Sequence, residues 1–338
     1  MAVGSESKEV LLLPIQKKIA IAIDLGGTAI KGALINEEGT ILSQKSCPTE
    51  AEAGYEKVKQ NILEMIESFR EESQSKKYGE VKGIGLGVPG TIDSATPQIV
   101  TFAPNLHWKN VPIGSDLEKL TQLPLFMEND ANLAACGEHW KGAGQGSTSL
   151  AVLTLGTGVG CGLILENQLY RGVKGGAGEV GHLVLIPDGP RCNCGLRGCL
   201  EALVGAPAIV AMAEKHLAID KSDLLGQVEG SLEARHIFDA AREKDPMAQA
   251  IVQQVAGYLG WGIALLLNTL NLERILLGGG IAKAGEVLFN PLREAIKQRA
   301  LPVAIESAII EEATLGNKAG IMGAASQVFY RTKKVGDQ

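Results

Sequence analysis

The chain has 338 residues, more than one typical domain, so two domains are expected. A net charge of −6 argues against a general nucleic-acid surface, while 45% hydrophobic content supplies substantial cores. No apolar run approaches the roughly 20 residues that span a bilayer, and VLLLPI near the start is too short and wrongly flanked for a secretory signal, so a cytoplasmic protein with no membrane or nucleic-acid partner is expected.

The first eighteen residues read as loosely ordered, as does the tail KKVGDQ. KKIAIAIDLGGTAIKGALI then reads as a strand, a Gly-Gly turn and a returning strand, with Asp24 at the end of the first. SLAVLTLGTGVGCGLIL repeats this design around Gly156, Thr157 and Gly158, a weak internal duplication. In each turn, small residues expose backbone N–H groups and a Thr hydroxyl in a concavity that suits an anion, phosphate foremost. A hairpin that is Gly-rich for purely conformational reasons is the competing reading. Between the two copies, LPLFMENDANLAACGEHW is a strand that delivers Asn129 and Asp130 directly before a helix. Ligands of open α/β sheets bind beyond the carboxyl ends of strands, which places Asp130 for catalysis; its position ahead of Ala131 equally allows a helix cap.

Cys192, Cys194 and Cys199 in CNCGLRGCLE follow His182 of GEVGH. One imidazole and three thiolates are a complete ligand set for one tetrahedral, structural zinc, and Gly195 and Gly198 let the backbone turn tightly enough for the sulfurs to converge. A disulfide competes, but Cys-x-Cys is a strained pair, and no export signal places the chain in an oxidising compartment. Cys47, Cys136 and Cys161 read as reduced thiols in packing positions. Glu179 and Glu201 flank the knuckle, where carboxylates suit sugar hydroxyls, and the second nitrogen of His182 adds a polar contact. Glu201 also suits the first turn of the helix LEALVGAPAIVAMAEKH, where the dipole favours an anion. The helix QAIVQQVAGYLGWGIALLLNTLNL carries more apolar surface than one core face needs; it is either a buried core helix or the interface of a homodimer or higher homo-oligomer. After the strand ERILL, Gly278, Gly279 and Gly280 allow close approach of a flat ligand, or form a crowded strand–helix turn. Neither a Walker nor a dinucleotide fingerprint occurs.

In order, DLGGT, GVPG, ENDANLAACGE, LGTGVGCG, GAGEVGHLVL with CNCGLRGCLE, and LGGGIA resemble the ROK family of sugar kinases, repressors and open reading frames, from about Ile19 to about Tyr330. The resemblance implies an α/β, actin-like (ribonuclease H-like) fold whose two domains enclose a cleft for ATP and a sugar. The smaller domain would cover 19–130, completed by a C-terminal helix over about 317–332; the larger would cover 131–316 with the zinc loop 182–199. Asp130 matches the general base. Gly90, Asn105, Asn129, Glu179, His182 and Glu201 match sugar contacts, and Asp24, Gly26, Gly27, Thr28 and Lys31 match the magnesium and phosphate side. Gly156, Thr157 and Gly158 match the paired phosphate loop, and Gly278, Gly279 and Gly280 the nucleoside loop. The implied reaction is phosphorylation of a hexose by ATP with Mg²⁺. Glucose comes first, because GVPGTID, NLHW and GEVGH resemble the family's bacterial glucose kinases, with N-acetylmannosamine and fructose as alternatives. A sugar-sensing repressor is the competing class; about eighteen mostly polar residues ahead of the first core strand are too few for its DNA-binding domain.

Overall fold

The computed structural model describes residues 17–93 and 96–336; most of the first eighteen residues, read above as loosely ordered, and the last two lie outside it. In the first lobe, β1 (Lys18–Leu25), β2 (Ala29–Asn36) and β3 (Ile41–Pro48) form an antiparallel meander, and after α1 (Tyr55–Ser75) the chain returns as β4 (Glu80–Val88), parallel to β1. A small antiparallel sheet of β5 (Thr91–Ile92), β6 (Val100–Ala103) and β7 (Trp108–Val111) follows, then α2 (Ile113–Thr121) and β8 (Leu125–Asn129), which joins parallel to β4. The helix α3 (Asp130–Lys141) leads into the second lobe. There β9 (Leu150–Leu155), β10 (Val159–Leu165) and β11 (Gln168–Leu169) make a second meander, followed by α4 (Glu201–Val204), α5 (Ala206–Leu217), α6 (Ala234–Arg242) and α7 (Pro246–Leu270). β12 (Arg274–Gly278), α8 (Glu286–Lys297), α9 (Pro302–Glu306) and β13 (Ile309–Glu312) complete the lobe, and α10 (Ala319–Gly336) returns to the first.

The sheet orders are β3-β2-β1-β4-β8 and β11-β10-β9-β12-β13, with three antiparallel strands and then two parallel additions in each. The duplication that is weak in the sequence is therefore complete in the topology, and this is the actin-like α/β fold. Period-2 alternation builds it: Ile19, Ile21 and Ile23 pack towards α1 with Ile62, Ile66 and Phe69, while Ala20 and Ala22 face α10 with Ala324, Ala325 and Val328. Small residues let α10 approach closely. A Cβ on Gly85 would lie 2.1 Å from the Ala324 carbonyl oxygen, and one on Gly323 would lie 1.9 Å from that of Leu133. Gly323→Ala is thus expected to destabilise the protein by about 1–3 kcal/mol through overpacking, although an exposed Gly→Ala change in a helix gains about 1 kcal/mol. Thermal melting checks the sign.

The helix α3 belongs to both lobes, with Leu133 packed among α10 and β1 and Ala135 and Cys136 against Leu150 and Val152. We propose to divide the domains there, as 19–130 plus α10 and 131–316. Three expectations need correction. The helix LEALVGAPAIVAMAEKH is broken at the extended Gly205, where Pro207 starts a new helix and Gly205 abuts the Thr157 carbonyl, so α4 and α5 are separate. The tail expected to be loose continues α10 as far as Gly336. By length and composition α7 is apolar enough to cross a membrane, which a reading of uninterrupted apolar runs overlooked because glycines and glutamines break the run. On the helix its apolar residues cover most of the surface, and 61% of its most apolar window is buried inside the protein against neighbours such as α6 and α8.

Candidate active site

Because β8 ends at Asn129 and α3 starts at Asp130, the strand–helix junction opens between the two lobes. A cavity of about 360 Å³ lies there, walled by Gly90, Asn129 and Asp130 on one side and by Gly160, Glu179 and the glycine-rich run from Arg171 to Gly178 on the other. The cap of α3 is Asn129. Its Oδ1 accepts the N–H groups of Ala131 at 2.9 Å and Asn132 at 3.3 Å, and its Nδ2 donates to the Gly90 carbonyl at 2.9 Å. Asp130 therefore is not the capping residue, although its Oδ1 shares the Ala131 N–H at 2.8 Å. Burial pushes its carboxyl above the usual aspartate value, against the pull of the helix-end N–H groups and the Asn129 amide.

Asp24 closes β1 opposite Lys31. Burial raises its pKa, the charge of Asp130 raises it further, and Lys31 opposes both. Two partly desolvated carboxylates that feel each other leave an electrostatic demand that a divalent cation would meet, so this donor set fits Mg²⁺. Gly320, in the first turn of α10, makes room for Asp24: a Cβ there would lie 3.3 Å from the aspartate Cγ.

The first glycine turn is closed by Gly26 N–H to Ala29 O at 3.0 Å and by the Thr49 hydroxyl, which donates to Gly26 O at 2.6 Å. Thr28 O accepts the Thr49 N–H at 3.0 Å. Asn105 packs here, its Cβ 3.3 Å from where a Cβ on Gly27 would lie, and it does not line the 360 Å³ cavity. In the second turn, Gly156 and Thr157 line another cavity of about 500 Å³ together with Gly280, Pro207 and Phe238. Gly278 and Gly279 stand behind it; at φ +86°, Gly279 lies so near β9 that a Cβ would come 2.2 Å from Leu155 O. Gly158 abuts Glu201, whose Oε2 accepts the Val159 N–H at 3.1 Å while Cys192 Sγ donates to Oε1 at 3.6 Å. Glu201 thus joins the second turn to the cysteine loop rather than lining the 360 Å³ cavity.

His182, Cys192, Cys194 and Cys199 bring their ligand atoms within 4.8 Å of one another. Cys194 and Cys199 place their sulfurs 3.7 Å apart, and Cys192 Sγ lies 3.7 Å from His182 Nδ1. A tetrahedral ion with bonds of about 2.3 Å separates two sulfurs by about 3.8 Å, so the four side chains fit one metal ion. All six cysteines are free thiols, and the competing disulfide is not formed. The other nitrogen, Nε2, lies 3.9 Å from Glu179 Oε2. His182 therefore connects the metal loop to a carboxylate of the cavity wall, the arrangement that orients a ligating imidazole.

Sequence reasoning missed one network. Arg171 pairs through Nε with the buried Glu128, whose Oε1 accepts Asn129 N–H and Asn132 Nδ2, each at 3.0 Å. The available signal was RGVKGGAG immediately ahead of GEVGH; Glu128 by itself reads as an ordinary strand residue.

The profile of the ROK family matches residues 20–329. The chain is similar to the glucokinase of Thermotoga maritima, 41% identical over 315 residues that cover 92% of this chain and 97% of that one. It is also similar to the glucokinase of Halalkalibacterium halodurans, 39% identical over 307 residues covering 90% and 92%. Among solved structures it resembles a ROK family glucokinase from Streptomyces griseus in complex with glucose and AMPPNP, at 34% identity and a TM-score of 0.73, covering 91% and 98%. With its motifs gathered at the cleft of a duplicated fold and a match along nearly its whole length, this chain belongs to the ROK family.

Proposed function

We propose that this chain transfers the γ-phosphoryl group of ATP to glucose, giving glucose 6-phosphate and ADP. The observation that carries the reading is Asp130: a solvent-accessible cleft carboxylate at a strand end, held above the usual aspartate value by the protein around it and relieved of capping by Asn129, in a sugar-sized cavity of a chain 41% identical to a glucokinase. Phosphoryl transfer requires positioning, charge neutralisation and a base for the nucleophile, with no covalent intermediate. Asp130 takes the proton of the attacking hydroxyl. Gly90, Asn129 and Glu179 hold the sugar from the cavity wall, with Asn105, His182 and Glu201 completing the sugar side. Gly26, Gly27, Thr28 and Lys31, with Gly156, Thr157 and Gly158, face the phosphates, and Gly278, Gly279 and Gly280 the nucleoside. Asp24 would hold Mg²⁺, which supplies charge neutralisation at the phosphates when bound. The cysteine loop would hold one structural zinc; four protein ligands close its shell, so its task is to fix the loop behind Glu179. Thiols kept for a metal suit a reducing, cytoplasmic setting.

A coupled ADP-release assay across glucose, N-acetylmannosamine, fructose and mannose tests the reading, with the highest kcat/KM expected for glucose. A preference for another sugar would replace the substrate, and sugar binding without turnover would favour a sensor over an enzyme. Asp24→Ala is expected to lower kcat on the order of 10²-fold while leaving fold and metal content intact. Near-normal kcat at saturating magnesium would remove Asp24 from the phosphate side. We also read the protein as a homodimer. Trp261 and Leu265, one turn apart on α7, stay 38% and 39% exposed, and Leu301 and Val303 lie exposed at the neighbouring α9. Light scattering should return twice the chain mass; a monomer mass ends that reading.

A further inference from the structure

Arg171 and Arg331 wall the active-site cavity on one side and a larger cavity, about 710 Å³, on the other. The larger one lies between α3, α10 and the β10–β11 edge, with Trp140 and Tyr330 as aromatic walls and Gln168 and Gln327 as neutral polar groups. Among the described residues, no aspartate or glutamate lines it. Arg171 has its carboxylate partner, Glu128, on the active-site side. Arg331 makes no ion pair among the described residues; its guanidinium stacks 5.7 Å from the centroid of the Phe126 ring. On the side of the larger cavity the two arginines meet no carboxylate among the described lining residues, so that wall carries net positive charge, and burial together with Arg171 disfavours the charge on Arg331 while Glu128 favours it.

Guanidinium groups match the tetrahedral oxygens of a phosphate in a paired fork, and a cavity of this size with aromatic walls accommodates the body to which a phosphate is attached. We propose that this cavity binds a phosphomonoester and that its occupancy slows the kinase, the second half resting on the activity proposed above. Arg171 neutralises Glu128, and Glu128 accepts hydrogen bonds from Asn129 N–H and Asn132 Nδ2, at the junction that carries Asp130. An anion that draws Arg171 towards the second cavity leaves Glu128 without its counter-charge and loosens that junction. Inhibition therefore lowers kcat instead of competing with glucose, and saturating glucose leaves the binding of the anion unchanged.

The experiment is isothermal titration of the full chain, with saturating glucose in the first cavity, using inorganic phosphate, glucose 6-phosphate and AMP as separate probes, alongside initial rates. Gln168 is exposed and lines the larger cavity but not the first, so Gln168→Glu sets a carboxylate before the anion without touching the active site. One ester is expected to bind at one equivalent per chain, more tightly than inorganic phosphate, and to change Trp140 emission; which ester it is identifies a sugar or nucleoside body. Gln168→Glu is expected to weaken this binding roughly tenfold or more and to relieve the inhibition with uninhibited turnover unchanged, whereas Gln168→Asn keeps both. Equal binding by wild type and Gln168→Glu, inhibition competitive with glucose or ATP in both, or inorganic phosphate binding as tightly as either ester overturns the proposal. Should the kinase reading alone be wrong, glucose turnover is absent while the Gln168-sensitive site still appears in the titration.

Discussion

Asp130→Asn is expected to lower kcat on the order of 10²-fold or more, with glucose affinity and thermal stability little changed. A general base acts on the transition state, whereas the amide keeps the size of the side chain and can still accept the Ala131 N–H now shared with Asn129. Since the cap of α3 belongs to Asn129, loss of stability cannot stand in for loss of chemistry in this variant. The reciprocal change, Asn129→Ala, should instead cost about 1 kcal/mol of stability by uncapping α3 and should free the Gly90 carbonyl from its donor. The pH dependence has a definite sign. Burial raises the Asp130 pKa, and the base works only when ionised, so kcat/KM rises with pH through a midpoint above the ordinary aspartate value of 3.8. Rates that stay flat down through the ordinary aspartate range, or an Asp130→Asn enzyme that turns over glucose near the wild-type rate, would remove Asp130 from the chemistry.

Protein prepared without added zinc is expected to carry about one zinc per chain, and Cys194→Ala is expected to lose most of it and to raise KM for glucose roughly 10–100-fold. Cys194 is the exposed ligand, so its removal leaves the buried Cys192 and Cys199 in place and the core undisturbed. The effect reaches the sugar because His182 stands between the metal loop and Glu179. It also reaches the nucleotide. Glu201 ties Cys192 to the Val159 N–H beside the second glycine turn, so KM for ATP should rise as well, by a smaller factor. Metal analysis with paired KM measurements checks both statements: zinc retained in the variant, or zinc lost with both constants unchanged, would show that the loop does not support the site.

The knuckle and the two hairpins were legible in the sequence because their information is local. Four ligands within one short loop need only glycine hinges to converge, and the alternation of Ile19, Ile21 and Ile23 with Ala20 and Ala22 declares a strand with one face for α1 and a tighter face for another helix. The strand–helix junction at Asn129 and Asp130 was legible for the same reason, and so was the broken duplication of glycine turns. What the sequence left open is what distant segments decide when they meet. Asp130, ahead of Ala131, reads as a possible cap until the backbone turns the Asn129 side chain onto the N–H groups of Ala131 and Asn132 instead. Glu201 has one address in the chain but two partners, on Val159 and Cys192, which only the packed second lobe brings to it. Arg171 and Glu128 are 43 residues apart, and no periodicity links them. The two matching sheets arise from segments with little in common but alternation and turns, so the sequence alone marked β1, β2, β8, β9, β10 and β12, while tertiary packing decided that the strands order themselves twice in the same way. Contacts far apart along the chain are set by burial of whole faces, and a side chain's partner follows from which faces close upon each other.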